Sequence, residues 1–182
     1  HKHLDKGRYE HSIRVASTAV SLAMCYGEDM EKAELAGLLH DCAKCMKEEK
    51  ILKESKEAHI PISALQEANP SLLHAPLGSY LAKEKYGIKD QDILMAIQSH
   101  TLGRANMSLL EKIIYVADYI EPERDKAPDL HEVRQMAYHN LDGAIHKIAV
   151  DTIEHLHHHG KPVDLAAYAT VKAYEPININ TN

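Results

Sequence analysis

The sequence of 182 residues contains no tryptophan and no phenylalanine, so its nine tyrosines supply every aromatic side chain. It also lacks an apolar run of 18 residues, which argues against a membrane-spanning helix. Residues 1–10 are polar and carry no signal-peptide core. Since 45% of the residues are hydrophobic, we predict a globular protein whose core consists of Leu, Ile, Ala, Val and Met.

Cysteines are scarce, with only Cys25, Cys42 and Cys45 present. A low, odd number without a disulfide framework indicates a reducing compartment, and we predict a cytoplasmic protein. Cys42 and Cys45 form a CxxC pair, but a structural zinc site would need a second pair. We interpret the two as buried cysteines on one face of a helix, and a redox or zinc role is the alternative.

The sequence has no excess of positive charge, since its formal net charge is -6. This argues against binding of a long nucleic acid, for which basic surfaces are the rule. A small anionic ligand held by a few local cations remains compatible with the composition. Fourteen histidines are the feature that stands out, and they require an explanation.

Hydrophobic residues recur at three- and four-residue steps along nearly the whole chain, which predicts helices. The predicted helices cover residues 8–26, 32–44, 47–59, 63–68, 74–86, 92–100, 109–120, 130–140, 141–159 and 164–173. Only residues 168–174 and 177–179 hint at extended structure. No repeat or linker divides the chain, so we predict an all-α fold in which residues 1–182 form a single-domain helical bundle.

Six residues could carry chemistry, and they are spread over five predicted helices: His11, His40, Asp41, His74, His100 and Asp118. Each histidine alone would be read as a partly buried side chain. Asp118 is different because it lies within an apolar segment, where an unpaired carboxylate is very costly. Its partner would be either a metal ion or an arginine. Ligands from several helices are typical of a site in the core of a bundle.

This ligand set suits transition metals better than calcium, because it combines imidazoles with carboxylates. Four histidines and two aspartates exceed what one tetrahedral ion takes, so we predict two divalent ions bridged by a carboxylate and a hydroxide. Iron, manganese, zinc, cobalt and nickel all fit such a set. Two-ion sites activate water and hold a phosphoryl group, which indicates a phosphohydrolase.

The order of these six residues resembles the HD-domain superfamily of metal phosphohydrolases. The flanking segments are similar to its YqeK-type branch, the bacterial symmetrical diadenosine tetraphosphate hydrolases. The segments that carry this resemblance are RYEHS at 8–12, LHDCAK at 39–44, HTLGR at 100–104 and IYVADYIEPER at 114–124. The match covers residues 8–124, and the helices of residues 130–175 match more loosely.

The resemblance implies a role for each matched residue. His11, His40, Asp41 and Asp118 would hold one ion, and Asp41 would bridge to a second ion held by His74 and His100. The family metal is commonly iron. A metal-bridging hydroxide would attack a central phosphorus and release two ADP, with Asp41, Lys44 and Asp118 as the catalytic residues. Contacts with the phosphate chain would come from Lys44, Thr101, Arg104, Arg8 and Arg124. For Arg124, capping its own helix or pairing with a neighbouring acid is an equal alternative.

Other functions of the same architecture stay open at this point. The substrate could be a nucleoside monophosphate, a guanosine alarmone or a cyclic dinucleotide, although the loop at 101–104 favours a dinucleoside polyphosphate. A catalytically silent nucleotide sensor is a second class. A homodimer is the expected assembly if the chain is not monomeric. The cluster at 155–159 is interpreted as a solvated helix end, and no chemistry is assigned to it or to the C-terminal stretch.

Overall fold

The structure, a computed structural model, describes residues 5–176, and every regular element in this range is a helix. The ten α-helices are α1 (Lys6–Tyr26), α2 (Met30–Leu39), α3 (Glu48–Glu57), α4 (Ala64–Ala68), α5 (His74–Tyr86), α6 (Gln91–Ser99), α7 (Leu109–Ile120), α8 (Leu130–Ala137), α9 (Leu141–His158) and α10 (Leu165–Ala173). A 3-10 helix that the sequence did not predict, Pro70–Leu73, leads directly into α5. The all-α prediction is confirmed.

Short polar side chains begin most of these helices, as the sequence predicts. The side chains of Asp29 and Asp90 accept hydrogen bonds from the first backbone N–H groups of α2 and α6. At the start of α7, Ser108 and Glu111 form a reciprocal capping box. Gly27 ends α1 with a φ of 76°, a conformation that costs glycine little. These caps satisfy backbone groups that a helix terminus leaves without partners.

The predicted length of α2 is wrong, because the helix ends at Leu39 rather than Lys44. The chain continues in tight turns in which the N–H of Cys42 donates to the carbonyl of Leu39, and that of Lys44 to the carbonyl of Asp41. The Cys42 thiol also donates to the carbonyl of Gly78 in α5, at 3.4 Å. The turns thus give the segment after His40 a direction that a continued helix would not have.

Two further predictions are corrected near the C-terminus. Helix α8 ends at Ala137 instead of residue 140, because Asn140 becomes the N-cap of α9 and accepts from the N–H of Gly143. The hint of extended structure at 168–174 is wrong, since an Asp164 cap and an alanine-rich sequence make this segment helical. The similar hint at 177–179 lies outside the described residues.

The core consists of small and branched aliphatic side chains, with Tyr115 and Tyr174 as its buried aromatic residues. Helix α7 is central to it and packs against α1, α2, α6 and α9. Helices α1 and α2 approach very closely: a Cβ added at Gly37 would lie 2.7 Å from Cα of Ala16. This contact fixes the end of α2 against α1, which brings His40 close to His11.

Five regions of the bundle converge at one place. They are the first turns of α1, the end of α2 with the turns after it, the start of α5, the end of α6 and the last turns of α7. Among the described residues, none of the helices has the length and apolar character needed to cross a bilayer.

Candidate metal centre

The structure brings together the six side chains that the sequence singled out, although they come from five separate regions. Those buried at the centre are His11, His40, Asp41, His74 and His100, and Asp118 completes the group with a partly exposed side chain. His40 and Asp41 were predicted to lie within a helix. Instead, His40 is the C-cap of α2 and Asp41 lies in the turn after it. His100 similarly follows the end of α6.

Asp41 lies between two groups of histidines and faces each group with a different oxygen. Its Oδ1 lies 3.5 Å from Nε2 of His74 and 3.5 Å from Nε2 of His100. Its Oδ2 lies 3.5 Å from Nε2 of His40 and 3.8 Å from Nε2 of His11. A carboxylate with this arrangement can bridge two ions, because each oxygen belongs to a separate ligand set.

The remaining distances fit ligands that share an ion. Oδ1 of Asp118 lies 3.1 Å from Nε2 of His11 and 3.8 Å from Nε2 of His40, and the Nε2 atoms of His74 and His100 are 3.3 Å apart. Two ligands bound to one ion at about 2.1 Å lie roughly 3.0–3.4 Å apart for ordinary coordination angles. The trios His11–His40–Asp118 and His40–Asp41–His100 each have ligand atoms close enough to hold an ion.

Two ring nitrogens of this cluster are buried without a hydrogen-bond partner among the described residues. They are the Nε2 atoms of His11 and His40, both of which point at the carboxylates. A buried nitrogen without a partner is costly and rare, so its presence requires an explanation. Coordination of a divalent cation by these atoms supplies one, and the residues present therefore fit a metal.

The opposite ring nitrogens fix the orientation of the imidazoles. Nδ1 of His40, His74 and His100 lies 2.7, 2.6 and 2.7 Å, respectively, from the carbonyl oxygen of the residue three positions earlier. Since a carbonyl accepts only, each Nδ1 carries the hydrogen and each Nε2 keeps its lone pair for a metal. The turns that follow α2 and α6 make these local bonds available.

His11 differs from the other three because its Nδ1 faces a carboxylate, Oε1 of Glu121, at 3.3 Å. The sequence analysis missed Glu121. Arg14 holds the carboxylate from the other side, with Nε 2.7 Å from Oε2, and the backbone N–H of Glu123 donates to it at 2.9 Å. The spacing could have indicated this contact. Arg14 follows His11 by three residues and Glu121 follows Asp118 by three, so each lies one helical turn from a residue of the cluster. Glu121 therefore lies behind a ligand and orients it.

Three of the predicted phosphate contacts surround the acidic ligands. Arg8 donates to Oδ2 of Asp41 at 2.7 Å. Arg124 donates to Oδ1 of Asp118 at 2.9 Å and to its carbonyl at 2.7 Å, so it both pairs with an acid and caps the end of α7. The Nζ of Lys44 lies 3.3 Å from Nδ1 of His74. Their contact with phosphate stays a prediction.

The electrostatics of the centre favour a neutral His74 and an ionised Asp41, whereas the pKa of His40 is raised: burial would lower it, but the facing Asp41 carboxylate outweighs burial. Burial, together with the neighbouring His100 and Lys44, lowers the pKa of His74 to about 3, so this imidazole is neutral near pH 7. Burial would raise the pKa of Asp41, but the imidazoles of His100 and His40 that face its oxygens hold that pKa well below its usual range. Burial also lowers the pKa of Lys44. Metals bind neutral imidazoles and ionised carboxylates.

The loop after His100 holds the other two predicted substrate contacts. The hydroxyl of Thr101 lies 3.2 Å from Nε2 of His100 and 3.3 Å from Nε2 of His74. Arg104 instead forms a two-pronged ion pair with the fully buried Glu111, at 2.7 and 2.6 Å. Glu111 also accepts from the hydroxyl of Ser99 at 2.6 Å. The link between Glu111 and this loop was not foreseen from the sequence.

The cysteine interpretation needs correction. Cys42 and Cys45 lie in the turns after α2 and not on a helix, and Cys45 is exposed. Burial raises the pKa of the Cys42 thiol to about 12, so this sulfur is a poor nucleophile. Among residues 5–176, the groups of side chains that could hold a metal ion include neither cysteine.

A sequence-family profile described as HD domain matches residues 8–123, which include all six clustered side chains. The chain belongs to the HD domain family. The protein is 44% identical over 161 residues to the symmetrical bis(5'-nucleosyl)-tetraphosphatase of Halalkalibacterium halodurans, covering 88% of this chain and 85% of that one. It is 43% identical to the protein of that name from Bacillus subtilis, with the same coverage. The resemblance to the symmetrical tetraphosphatases is thereby confirmed.

The fold of this HD domain protein also matches a solved structure. A crystal structure of a predicted HD superfamily hydrolase from Clostridium acetobutylicum, described as involved in NAD metabolism, superposes with a TM-score of 0.92 at 42% identity. The match covers 95% of this chain and 91% of that chain. The helical bundle described here is therefore the HD-domain fold over nearly its whole length.

Proposed function

We propose that this protein is a metal-dependent hydrolase that cleaves diadenosine tetraphosphate symmetrically into two ADP. The observation that carries the proposal is the position of Asp41, whose two oxygens face two separate groups of histidines at 3.5–3.8 Å. The names of the relatives that are 43–44% identical supply the substrate. A chemically competent site and this level of identity support the same activity.

The residues that would hold the ions follow from the distances. His11, His40 and Asp118 would hold one ion, His74 and His100 would hold the other, and Asp41 would bind both. Iron is the metal that the resemblance favours, and manganese, cobalt, nickel and zinc suit the same ligands. Bound divalent ions would supply Lewis acidity, which activates water at neutral pH and offsets negative charge on phosphoryl oxygens.

The cations of the chain would bind and orient the polyphosphate. The protein carries a net charge of -6, so a tetra-anionic chain needs positive charge placed locally. Arg8, Lys44 and Arg124 provide it around the two acidic ligands, and the Thr101 hydroxyl lies beside the second histidine pair. In the reaction a water oxygen bonds to a central phosphorus, the bond from that phosphorus to the bridging oxygen breaks, and one ADP leaves.

We also propose an organisation, location and assembly for the whole protein. Residues 1–182 would act as one HD-type domain, in the cytoplasm, on small nucleotides rather than on nucleic acid polymers. A homodimer is the assembly that we propose to test. Arg104 is retained as a substrate contact, because 43% of its side chain is exposed while Glu111 fixes its position.

A product assay in labelled water tests the proposal. Purified protein is incubated with diadenosine tetraphosphate and ferrous or manganous ion, and ADP is separated from ATP and AMP. We expect ADP alone, with one oxygen-18 atom from the water in the terminal phosphate of one of the two ADP molecules. The variant D41N should be inactive. The matched control D92N changes an aspartate whose ion pair with Lys32 lies on another face, and it should retain activity.

The other outcomes are equally informative. Formation of ATP plus AMP would contradict cleavage at the centre of the chain. The proposed substrate would be wrong if the protein preferred another compound to diadenosine tetraphosphate. The compounds to compare are NAD, nucleoside monophosphates, guanosine alarmones and cyclic dinucleotides. Bound metal without turnover of any of these compounds would favour the nucleotide sensor.

A further inference from the structure

A cleft lies beside the metal centre, between the segment that follows α7 and helix α9. It encloses about 350 Å³ and is lined by Tyr119, Arg124, Pro128, Asp151, Thr152 and His155, among others. An adjoining hollow of about 510 Å³ shares Pro128, Asp151 and His155 with it. Ligand sites of small molecules commonly have volumes of this size. No role has so far been assigned to any wall of this cleft except Arg124.

Arg124 connects the cleft to the catalytic centre. Its guanidinium lines the cleft and also donates to Oδ1 of Asp118 at 2.9 Å. Tyr119, another wall residue, directly follows Asp118 on α7. A nucleotide whose phosphates lie at the metal centre therefore passes Arg124 before its nucleoside reaches the cleft.

Asp151 is the unusual group in this wall. The residue is 6% exposed, and its Oδ1 lies 3.3 Å from Nζ of Lys147. Its Oδ2 is buried and has no hydrogen-bond partner among the described residues. A buried carboxylate oxygen without a donor is costly, so stability alone does not account for this aspartate. Burial accordingly raises the pKa of Asp151.

The rest of the cleft favours a flat ligand with an amino group. Its walls include Tyr119, Ala127, Pro128 and Thr152. Such surfaces suit the face of a heteroaromatic ring, whereas the free oxygen of Asp151 suits an N–H donor. A purine with an exocyclic amine has both properties.

We propose that this cleft binds the adenine of one ADP half of the substrate, with Oδ2 of Asp151 accepting a hydrogen bond from the exocyclic amine. The proposal rests on the proposed function. A symmetrical substrate also has a second nucleoside, and a cavity of about 270 Å³ lies at the opposite end of the centre, bordered by Thr101 and Arg104. The two cavities thus flank the two histidine groups.

The test compares diadenosine tetraphosphate with diinosine tetraphosphate, in which a carbonyl oxygen replaces each amine. For the unchanged protein we expect a KM at least about tenfold lower for the adenosine compound, because the inosine compound places a carbonyl oxygen, which only accepts, where the amine would donate to Oδ2 of Asp151. The variant D151A should bring the two KM values within about twofold. D151N keeps an accepting amide oxygen and should restore part of the preference. The kcat values should change little.

A matched control separates base recognition from packing. Lys147 also binds Asp129, with Nζ 2.6 Å from Oδ2, and this aspartate does not line the cleft. The variant D129N weakens the other ion pair of Lys147, at a residue that borders only the adjoining hollow, and asparagine tolerates the positive φ of 51° at this position. It should keep the full preference for adenine. Equal preference in D151A and the unchanged protein would overturn the proposal, and so would equal KM values for both compounds in the unchanged protein.

A binding measurement keeps this inference separate from the proposed function. Calorimetric titration of the metal-loaded protein with ADP and with IDP reports base recognition even if diadenosine tetraphosphate is not hydrolysed. The proposed adenine site is supported if the unchanged protein binds ADP more tightly than IDP and if the variant D151A loses this difference. Equal affinity for ADP and IDP contradicts it, whatever the turnover assay shows.

Discussion

Replacing Glu121 with Gln should weaken one of the two metal sites without unfolding the protein. Oε1 of Glu121 faces Nδ1 of His11, whereas the other three histidines of the centre face backbone carbonyls. A carboxylate behind an imidazole raises its basicity and holds its tautomer. The glutamine side chain has the same shape but carries no charge, so the packing is kept while the electrostatic support of His11 and the ion pair with Arg14 are lost.

The expected magnitude follows from the type of contact. Loss of an outer carboxylate typically weakens metal binding by about 10- to 100-fold, or roughly 1.4–2.7 kcal/mol. Only the ion held by His11, His40 and Asp118 should be affected to this extent. The ion held by His74 and His100 should change by less than about threefold, because its histidines are anchored on the carbonyls of Ser71 and Ile97.

The assay is a calorimetric titration of metal-free protein with manganous ion, analysed for two sites. Glu123→Gln is the matched control, because Glu123 also pairs with Arg14, at 3.0 Å, but its side chain is 71% exposed. Exposed pairs contribute about 0–1 kcal/mol, so this variant should bind both ions normally. The reasoning is refuted if the two variants bind both ions with the affinity of the unchanged protein, or if both lose the same site.

Three further predictions concern other parts of the molecule. Asp41→Ala should lose both ions and all turnover, since each oxygen faces a different histidine group; retention of either ion in metal analysis would contradict a bridging role. Glu111→Gln should cost about 1–3 kcal/mol at pH 7, because it removes the charge of a fully buried carboxylate that pairs with the half-exposed Arg104. Although burial would raise the pKa of Glu111, hydrogen bonds from Arg104 and Ser99 lower it. The deficit in urea unfolding should therefore be full above the unfolded pKa of about 4.3 and shrink as the pH falls through the folded value. Gly37→Ala should lower the melting temperature through overpacking of about 1–3 kcal/mol against Ala16, and an unchanged melting temperature would show that the two helices can separate at no cost.

The sequence was sufficient to predict the fold class and the residues that meet at the site, because the signals for both are local. Helix α7 was predicted with its observed bounds because Ser108, Glu111 and an apolar periodicity are all local signals. Asp118 was recognised because a carboxylate among apolar neighbours needs a partner wherever the chain folds. Such signals require no knowledge of tertiary contacts.

The errors concern contacts between distant segments. Helix α2 ends at Leu39 because the turns after it contact Gly78 of α5. No helix-terminating residue directly follows position 39, so this end could not be predicted locally. The role of Glu121 depends on His11 and Arg14, which lie more than a hundred residues away. The pairing of Arg104 with Glu111 was not foreseen, because it forms only when the loop folds back on α7.

The two arginines at the centre give the acidic ligands a partner before any metal binds. Arg8 neutralises Asp41, and Arg124 neutralises Asp118, at 2.7 and 2.9 Å. Without them the bundle would contain two carboxylates in its interior that lack a countercharge, which costs several kcal/mol for each. The chain can therefore fold around its ligand set in the absence of metal. If ions then compensate the carboxylates, the same guanidinium groups would be free to bind the polyphosphate that we propose as the substrate, so one pair of residues would serve folding first and substrate binding afterwards.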